Sequence, residues 1–315
     1  MTTIHENTHD AVELIKQEIR EFADYLPHIA EEDSERFAEQ LQSKLDYINA
    51  MSRCCPEDRE ELMHYCIRLC APELAQSLIQ RQCIEKPFGY AGDFQIIEWI
   101  YDCKNDSPGR GKLWDELFHA QAAPQAVRNR KDVFVDIYTS LCHRTPSIRS
   151  VLDVACGPCR EVTDAVDQAG DLAKGTHFHC VDIEPKAIAY ARDRVHTLKE
   201  ISFRWETANV IRIRPSRRYD LVWSAGLFDY LNDRLATFLL RRMWGWTKVG
   251  GMCVIGNFHA SNPSRNYMEW CGDWCLIHRT DDDMRRLCHD AGIPSKQMKI
   301  THEPLGVCVF AILTK

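Results

Sequence analysis

After Pro146 the apolar residues stop recurring at helical spacing. They fall instead into short runs at 150–155, 178–183, 201–205, 219–224, 252–257 and 307–313, separated by segments of helical length. No other feature constrains the fold as strongly. Runs of this length, enriched in Val, Ile and Phe and bounded by turn residues, read as strands buried on both faces. Strands that alternate with helices satisfy that demand as a parallel sheet with crossovers on both sides. Residues 146–315 are therefore expected to form an α/β domain with a doubly wound, mostly parallel sheet.

Upstream the period is helical. Ala11, Leu14, Ile15, Ile19 and Phe22 make one apolar stripe, and Phe37, Leu41, Leu45, Ile48 and Met51 another. Pro27, Pro56 and Pro72 fall between periodic segments and read as helix boundaries. The pattern breaks at Lys86-Pro87-Phe88-Gly89-Tyr90-Ala91-Gly92-Asp93 and resumes with Ile96, Ile97, Ile100 and Tyr101, and a last long helix is expected over 126–141. Residues 1–145 are thus expected to be an all-helical domain. A chain of 315 residues is long enough for two cores.

Charge narrows the partners. With 39 Lys and Arg against 46 Asp and Glu, the net charge of -7 argues against a nucleic-acid partner, which needs a concentrated cationic surface. Arg212, Arg214, Arg217 and Arg218 read as a solvated loop. The N-terminus lacks the basic and apolar regions of an export signal, and no apolar stretch is long enough to span a membrane, so a cytoplasmic location is expected. The 15 cysteines scatter through apolar segments and read as reduced thiols packed as small hydrophobes. Cys156 and Cys159 form a CxxC with no second pair at zinc-site spacing, so no metal ion is expected.

The informative segment is Val151-Leu152-Asp153-Val154-Ala155-Cys156-Gly157-Pro158-Cys159, a buried strand running into a turn of small residues with a helix beginning near Arg160. Such a turn lets the backbone approach a ligand at the carboxyl end of the strand. The second strand ends in Asp182-Ile183-Glu184, where a carboxylate suits a ribose diol. Ala208-Asn209 follows the third strand and can frame an adenine. Ser224-Ala225-Gly226 closes the fourth and leaves room for the reactive part of a ligand. A dinucleotide site is the competing reading, but its G-x-G-x-x-G pattern is absent.

This ordered series resembles the class I S-adenosylmethionine-dependent methyltransferases, from about residue 148 onward and including Gly250-Gly251 before the fifth strand. The resemblance implies a Rossmann-like domain with S-adenosylmethionine as cofactor. It places Asp153, Ala155 and Gly157 at the methionine end, Asp182 and Ile183 at the ribose, and Ala208 and Asn209 at the adenine, with Ser224, Ala225 and Gly226 lining the reactive end. Ala155 and Cys159 stand where the family most often has glycine.

Beyond the cofactor, Gly256-Asn257-Phe258-His259-Ala260-Ser261-Asn262-Pro263-Ser264-Arg265 leaves the fifth strand and Asn266-Tyr267-Met268-Glu269-Trp270-Cys271-Gly272-Asp273-Trp274 follows. Polar and aromatic groups there suit an acceptor pocket; equally, Tyr267, Trp270 and Trp274 have the spacing of a helix core face. With the loop 86–93, this region is similar to a bacterial subgroup with helical N-terminal halves. That subgroup includes enzymes making methyl esters of 3-hydroxy fatty acids (extracellular factor methyltransferases) and S-adenosylmethionine cyclases forming azetidine-2-carboxylate.

The expected activity is methyl transfer to a small-molecule carboxylate in signal or secondary-metabolite biosynthesis. A carboxylate is nucleophilic at neutral pH, so positioning and water exclusion suffice. Arg265 would orient it, with Asn257, Tyr90 and Tyr230 as hydrogen-bond donors, and Asp229 or His259 would serve an acceptor that must lose a proton. One alternative is cyclisation of the cofactor against aromatic faces from Tyr90, Phe228, Tyr230 and Trp270. Another is a non-catalytic cofactor sensor. In the catalytic readings the helical half is expected to be a lid.

Overall fold

The computed structural model describes residues 2–29, 34–144 and 149–315. They form two compact units, Met1–Pro124 with Pro263–Cys275, and Gln125–Asn262 with Leu276–Lys315.

The first unit is helical: α1 (Thr2–Tyr25), α2 (Ser34–Ser52), α3 (Arg59–Leu74), α4 (Leu78–Glu85), α5 (Phe94–Tyr101) and α6 (Gly111–Ala120). The predicted stripes are buried as the period requires, with Ile15, Ile19, Phe22, Phe37, Leu41, Leu45 and Ile48 in the core, whereas Leu14 is exposed. Pro27 lies in the 3-10 turn that ends α1, and Pro56 lies between α2 and α3. Pro72 instead sits inside the last turn of α3, where its missing N–H forfeits one bond of a helix about to stop. The break at 86–93 separates α4 from α5 and holds Lys86 and Gly89 at positive φ. Asp93 is its structural anchor: the buried carboxylate caps α5 by accepting the N–H groups of Gln95 and Ile96 at 2.8 and 3.0 Å. Phe88 packs on Phe94 with ring centroids 5.0 Å apart.

Two segments depart from a division at residue 145. Helix α7 (Ala122–Arg144) belongs to the second unit from Gln125 onward, because its apolar face feeds the sheet: Phe134 meets Trp223 edge-on at 5.1 Å and Tyr138 lies 5.6 Å from Phe178. Helix α11 (Arg265–Gly272), far down the chain, returns to the first unit and packs on α2, α3 and α4. Trp270 is fully buried there, its Nε1 donating to Asn49 Oδ1 at 3.3 Å with the Arg59 guanidinium over its ring. Tyr267 contacts Gln80, and Glu269, also buried, accepts from Arg59 and Arg265. The three aromatic residues are therefore a core face: Tyr267, Trp270 and Trp274 are all buried.

The second unit is a seven-stranded sheet of β1 (Ser150–Val154), β2 (His177–Asp182), β3 (Ser202–Thr207), β4 (Tyr219–Ser224), β5 (Thr247–Phe258), β6 (Met298–His302) and β7 (Cys308–Thr314). Their order is β3-β2-β1-β4-β5-β7-β6, parallel from β3 through β5, with β7 antiparallel to both β5 and β6. Helices α8 (Arg160–Ala169), α9 (Pro185–Arg194), α10 (Asp233–Trp246) and α12 (Asp281–Asp290) fill the connections. The doubly wound α/β fold is as expected. Gly250 and Gly251 lie within β5, not before it: the register slips between Tyr219 and Leu221, and Gly250 takes φ +81° at that irregularity. The chain's direction of winding reverses between β1 and β4, which opens a crevice at their carboxyl ends, where ligands of such sheets bind.

Candidate active site

The turn after β1 is built from three left-handed residues, Ala155, Gly157 and Cys159, at φ +56°, +50° and +51°. Only glycine adopts this without penalty; Ala155 and Cys159 each bear about 1–2 kcal/mol of strain. Hydrogen bonds from its surroundings hold the turn. Cys156 N–H donates to Val181 O at 3.1 Å and Cys159 N–H to Cys156 O at 3.0 Å. Asp182, at the end of β2, accepts the Gly157 N–H on Oδ2 and the Glu184 N–H on Oδ1, both at 2.9 Å. Ala208 N–H in turn donates to Asp182 O at 2.8 Å. The ends of β1, β2 and β3 are thereby one cluster. Ala155 is exposed beside it, and a Cβ added to Gly157 would meet no atom of the described residues within 4 Å, so the space above the turn is open. Ile183 presents an apolar side chain that is 61% exposed at this edge, which suits the face of an aromatic base. Asn209 is exposed, with Oδ1 accepting the Ile211 N–H at 3.0 Å.

Carboxyl groups gather under the turn. Burial raises Asp153 well above the ordinary carboxylate range, and the charges of Glu161 and Asp182 push it further. Burial also raises Asp182, against the backbone N–H groups that favour its ionised form. Such a site gains from a cationic ligand, whose charge would reverse the first effect.

The end of β4 completes the crevice. Ser224 Oγ is buried and makes no hydrogen bond among the described residues. Gly226 lies against the Arg130 guanidinium: a Cβ there would stand 3.0 Å from Nη1. Asp229, in the 3-10 turn Phe228–Tyr230, accepts the Phe258 N–H on Oδ1 at 2.6 Å, and burial raises its carboxyl to about 7 despite Arg130 and Arg279 nearby. Tyr230 beside it is 39% exposed.

One expected acceptor contact reads differently, and two others lie in the helical unit. Asn257 spends both amide hydrogens on Phe258 O and Ile277 O, at 2.9 and 2.8 Å, and its Oδ1 accepts from Arg279 Nη1 at 2.6 Å, so it braces the end of β5 and has no donor left for an acceptor. Arg265 opens α11 in the helical unit and is paired with Glu269 at 2.7 Å. Tyr90 also belongs to the helical unit. Arg130 was not foreseen, although its signal is in the sequence: it falls on the buried face of α7, in phase with Val127 and Phe134. A charged residue in an apolar phase demands a partner.

Residues 151–251 match the methyltransferase domain family. No curated protein matches the chain by direct sequence comparison. Among solved structures, a possible exported protein from Bordetella parapertussis aligns over 92% of this chain and 98% of its own at 18% identity, with a TM-score of 0.62, a likeness that establishes a shared fold. Magnesium protoporphyrin IX methyltransferase (ChlM) from Synechocystis PCC 6803 with bound SAH aligns over 62% of this chain and 88% of its own, at 12% identity and a TM-score of 0.48. N-methyltransferase NodS from Bradyrhizobium japonicum WM9 in complex with S-adenosyl-L-homocysteine covers 70% and 96%, at 15% identity and a TM-score of 0.44. Among the described residues no helix is long and apolar enough to cross a membrane. With this match over residues 151–251, the chain is an enzyme with S-adenosylmethionine as its cofactor.

Proposed function

We propose that the chain transfers the methyl group of S-adenosylmethionine to a carboxylate oxygen of a small molecule, in signal or secondary-metabolite biosynthesis, in the cytoplasm. The observation that carries the cofactor half is the Asp182 carboxylate bound to the Gly157 N–H, with Asp153 beneath the same turn. In this reading Asp182 meets the ribose, Ile183 and Ala208 the adenine, and the acidic turn the cationic methionine end. Arg130, beside Gly226 at the end of β4, supports an anionic acceptor. The acceptor needs no base, because a carboxylate attacks the methyl carbon in its ordinary ionised state. Burial of twelve of the fifteen cysteines as free thiols supports a reducing compartment.

Asp229 favours a second reading. A carboxyl raised to about 7 can take a proton near neutrality, which an amine nucleophile requires and a carboxylate does not. That suits the cyclase reaction, in which the cofactor's own amine closes a four-membered ring and expels methylthioadenosine. Incubation with S-adenosylmethionine alone, then with a 3-hydroxy fatty acid, separates the two by mass spectrometry. S-adenosylhomocysteine formed only with the acid supports the first. Methylthioadenosine without it overturns the first in favour of the second.

A further inference from the structure

The residue after β5, the first residue of α12 and the end of β6 bring His259, Asp281 and His302 together at the carboxyl edge of the sheet. One donor atom from each lies within 4.8 Å of the others. His302 Nε2 is 2.8 Å from Asp281 Oδ1, and His259 Nε2 is 3.6 Å from the same oxygen. The second distance is too long for a hydrogen bond. Two donors bound at zinc-like lengths around a tetrahedral ion stand about 3.3–3.4 Å apart, between the two observed values.

The surroundings fix all three groups. His259 Nδ1 is occupied by Ser261, whose Oγ is 2.6 Å away and whose N–H is 3.2 Å away, so Nε2 is the nitrogen turned toward Asp281. The backbone of His259 bridges to Arg279 and donates its N–H to Val307 O at 2.7 Å. Buried Glu303, next to His302, accepts the N–H groups of Leu305, Val307 and Cys308 and so holds the hairpin that carries the histidine. Thr280 and Asp283 form a capping box around the start of α12, while Asp281 Oδ2 faces Arg285 at 3.7 Å and leaves Oδ1 to the histidines. Side chains oriented by outer partners in this way are a property of metal sites.

We propose that His259, Asp281 and His302 bind a divalent transition-metal ion of the zinc class. Two imidazoles and one carboxylate are the donors such ions prefer over magnesium or calcium. The histidine and aspartate side chains remain 20–34% exposed, which gives an ion a way in and leaves a coordination position for water or an anionic oxygen. The proposal is independent of the acceptor's identity.

Cobalt(II) titration of the chelator-stripped, full-length protein tests the proposal. The expected result is one tightly held ion with a nitrogen- and oxygen-donor spectrum and no thiolate charge-transfer band. His259→Ala and His302→Ala should each weaken binding by more than the ~10–100-fold that loss of an outer partner costs, with metal-free melting curves unchanged. Zinc should displace the cobalt. A thiolate band would overturn the proposal, because it would put the ion on cysteine, as at the buried Asp153, Cys159 and Cys180 group. Undiminished binding in either histidine variant, or no binding by the native protein, would overturn it equally.

Discussion

The carboxylate of Asp182 accepts the backbone N–H of Gly157 at 2.9 Å, tying the turn after β1 to the end of β2. The aspartate thus shapes the turn, and in the proposed reading it also meets the ribose. Asp182→Ala removes both functions and is expected to weaken S-adenosylmethionine binding by roughly 1.5–3 kcal/mol, with the fold intact. Asp182→Asn keeps an oxygen for Gly157 and should lose less. Calorimetry on both variants checks the order, and equal affinity in Asp182→Ala and native protein would remove Asp182 from the site.

Ala155 sits at φ +56° on an exposed corner of that turn. Ala155→Gly relieves the left-handed strain but adds freedom to the unfolded chain, so stability should hold or rise, by about 1 kcal/mol at most. Gly157→Val does the reverse. Protein atoms leave room for its side chain, but φ +50° opposes a branched Cβ and the ligand needs the space. The variant should fold less stably and fail to bind the cofactor, as thermal melts with and without S-adenosylmethionine would reveal.

Asp229 makes stability depend on pH. Its folded carboxyl titrates at about 7 against an ordinary value of 3.8, so the folded state holds the proton more tightly than the unfolded state. The contribution is complete below pH ~4 and is lost as the pH rises through 7, on the order of 4 kcal/mol in all. Asp229→Asn cannot ionise and should be more stable than native protein at pH 8, with the difference closing toward pH 5. Denaturant melts at the two pH values measure this. The same variant should leave turnover intact if the acceptor is a carboxylate and lower it sharply if the nucleophile must lose a proton.

We propose that the helical unit acts as a lid during turnover, with Tyr90 as the residue to test. The break at 86–93 interrupts regular helices with two glycines and a proline, as suits a segment that approaches a ligand. Tyr90→Ala should then cut kcat at least tenfold in folded protein, and full specific activity with a lowered melting temperature would reduce Tyr90 to a packing residue. Deleting residues 1–80 should abolish turnover, but it also strips α11 of its partners α2 and α3, so the point variant is the cleaner measurement.

Strands buried on both faces were legible because unbroken apolar runs leave little else for the chain to do. Strand β6 was not: Met298, Lys299, Ile300, Thr301 and His302 pair only with β7, at an edge where polar residues cost nothing. Period also cannot say which core a helix feeds, and so α7 and α11 were assigned to the wrong sides of the division. In the site, Gly157 and Asp182 stood out by residue type and spacing. The positive φ of Ala155 and Cys159 did not, since local propensity opposes it and only the surrounding hydrogen bonds enforce it. Asn257 drew notice by its polarity, but its partner Arg279 is distant in sequence. Arg265 and Glu269, four apart on a helix, were a pair the sequence already offered.

Because α11 completes the helical core, that core cannot close while the ribosome is still making the first five strands. The faces of α3 and α4 that pack on α11 must wait, partly uncovered, until residues 265–272 emerge. The N-terminal half of a nascent chain should therefore engage chaperones for longer than its own length would suggest, and circular permutants that begin near residue 263 would relieve that delay.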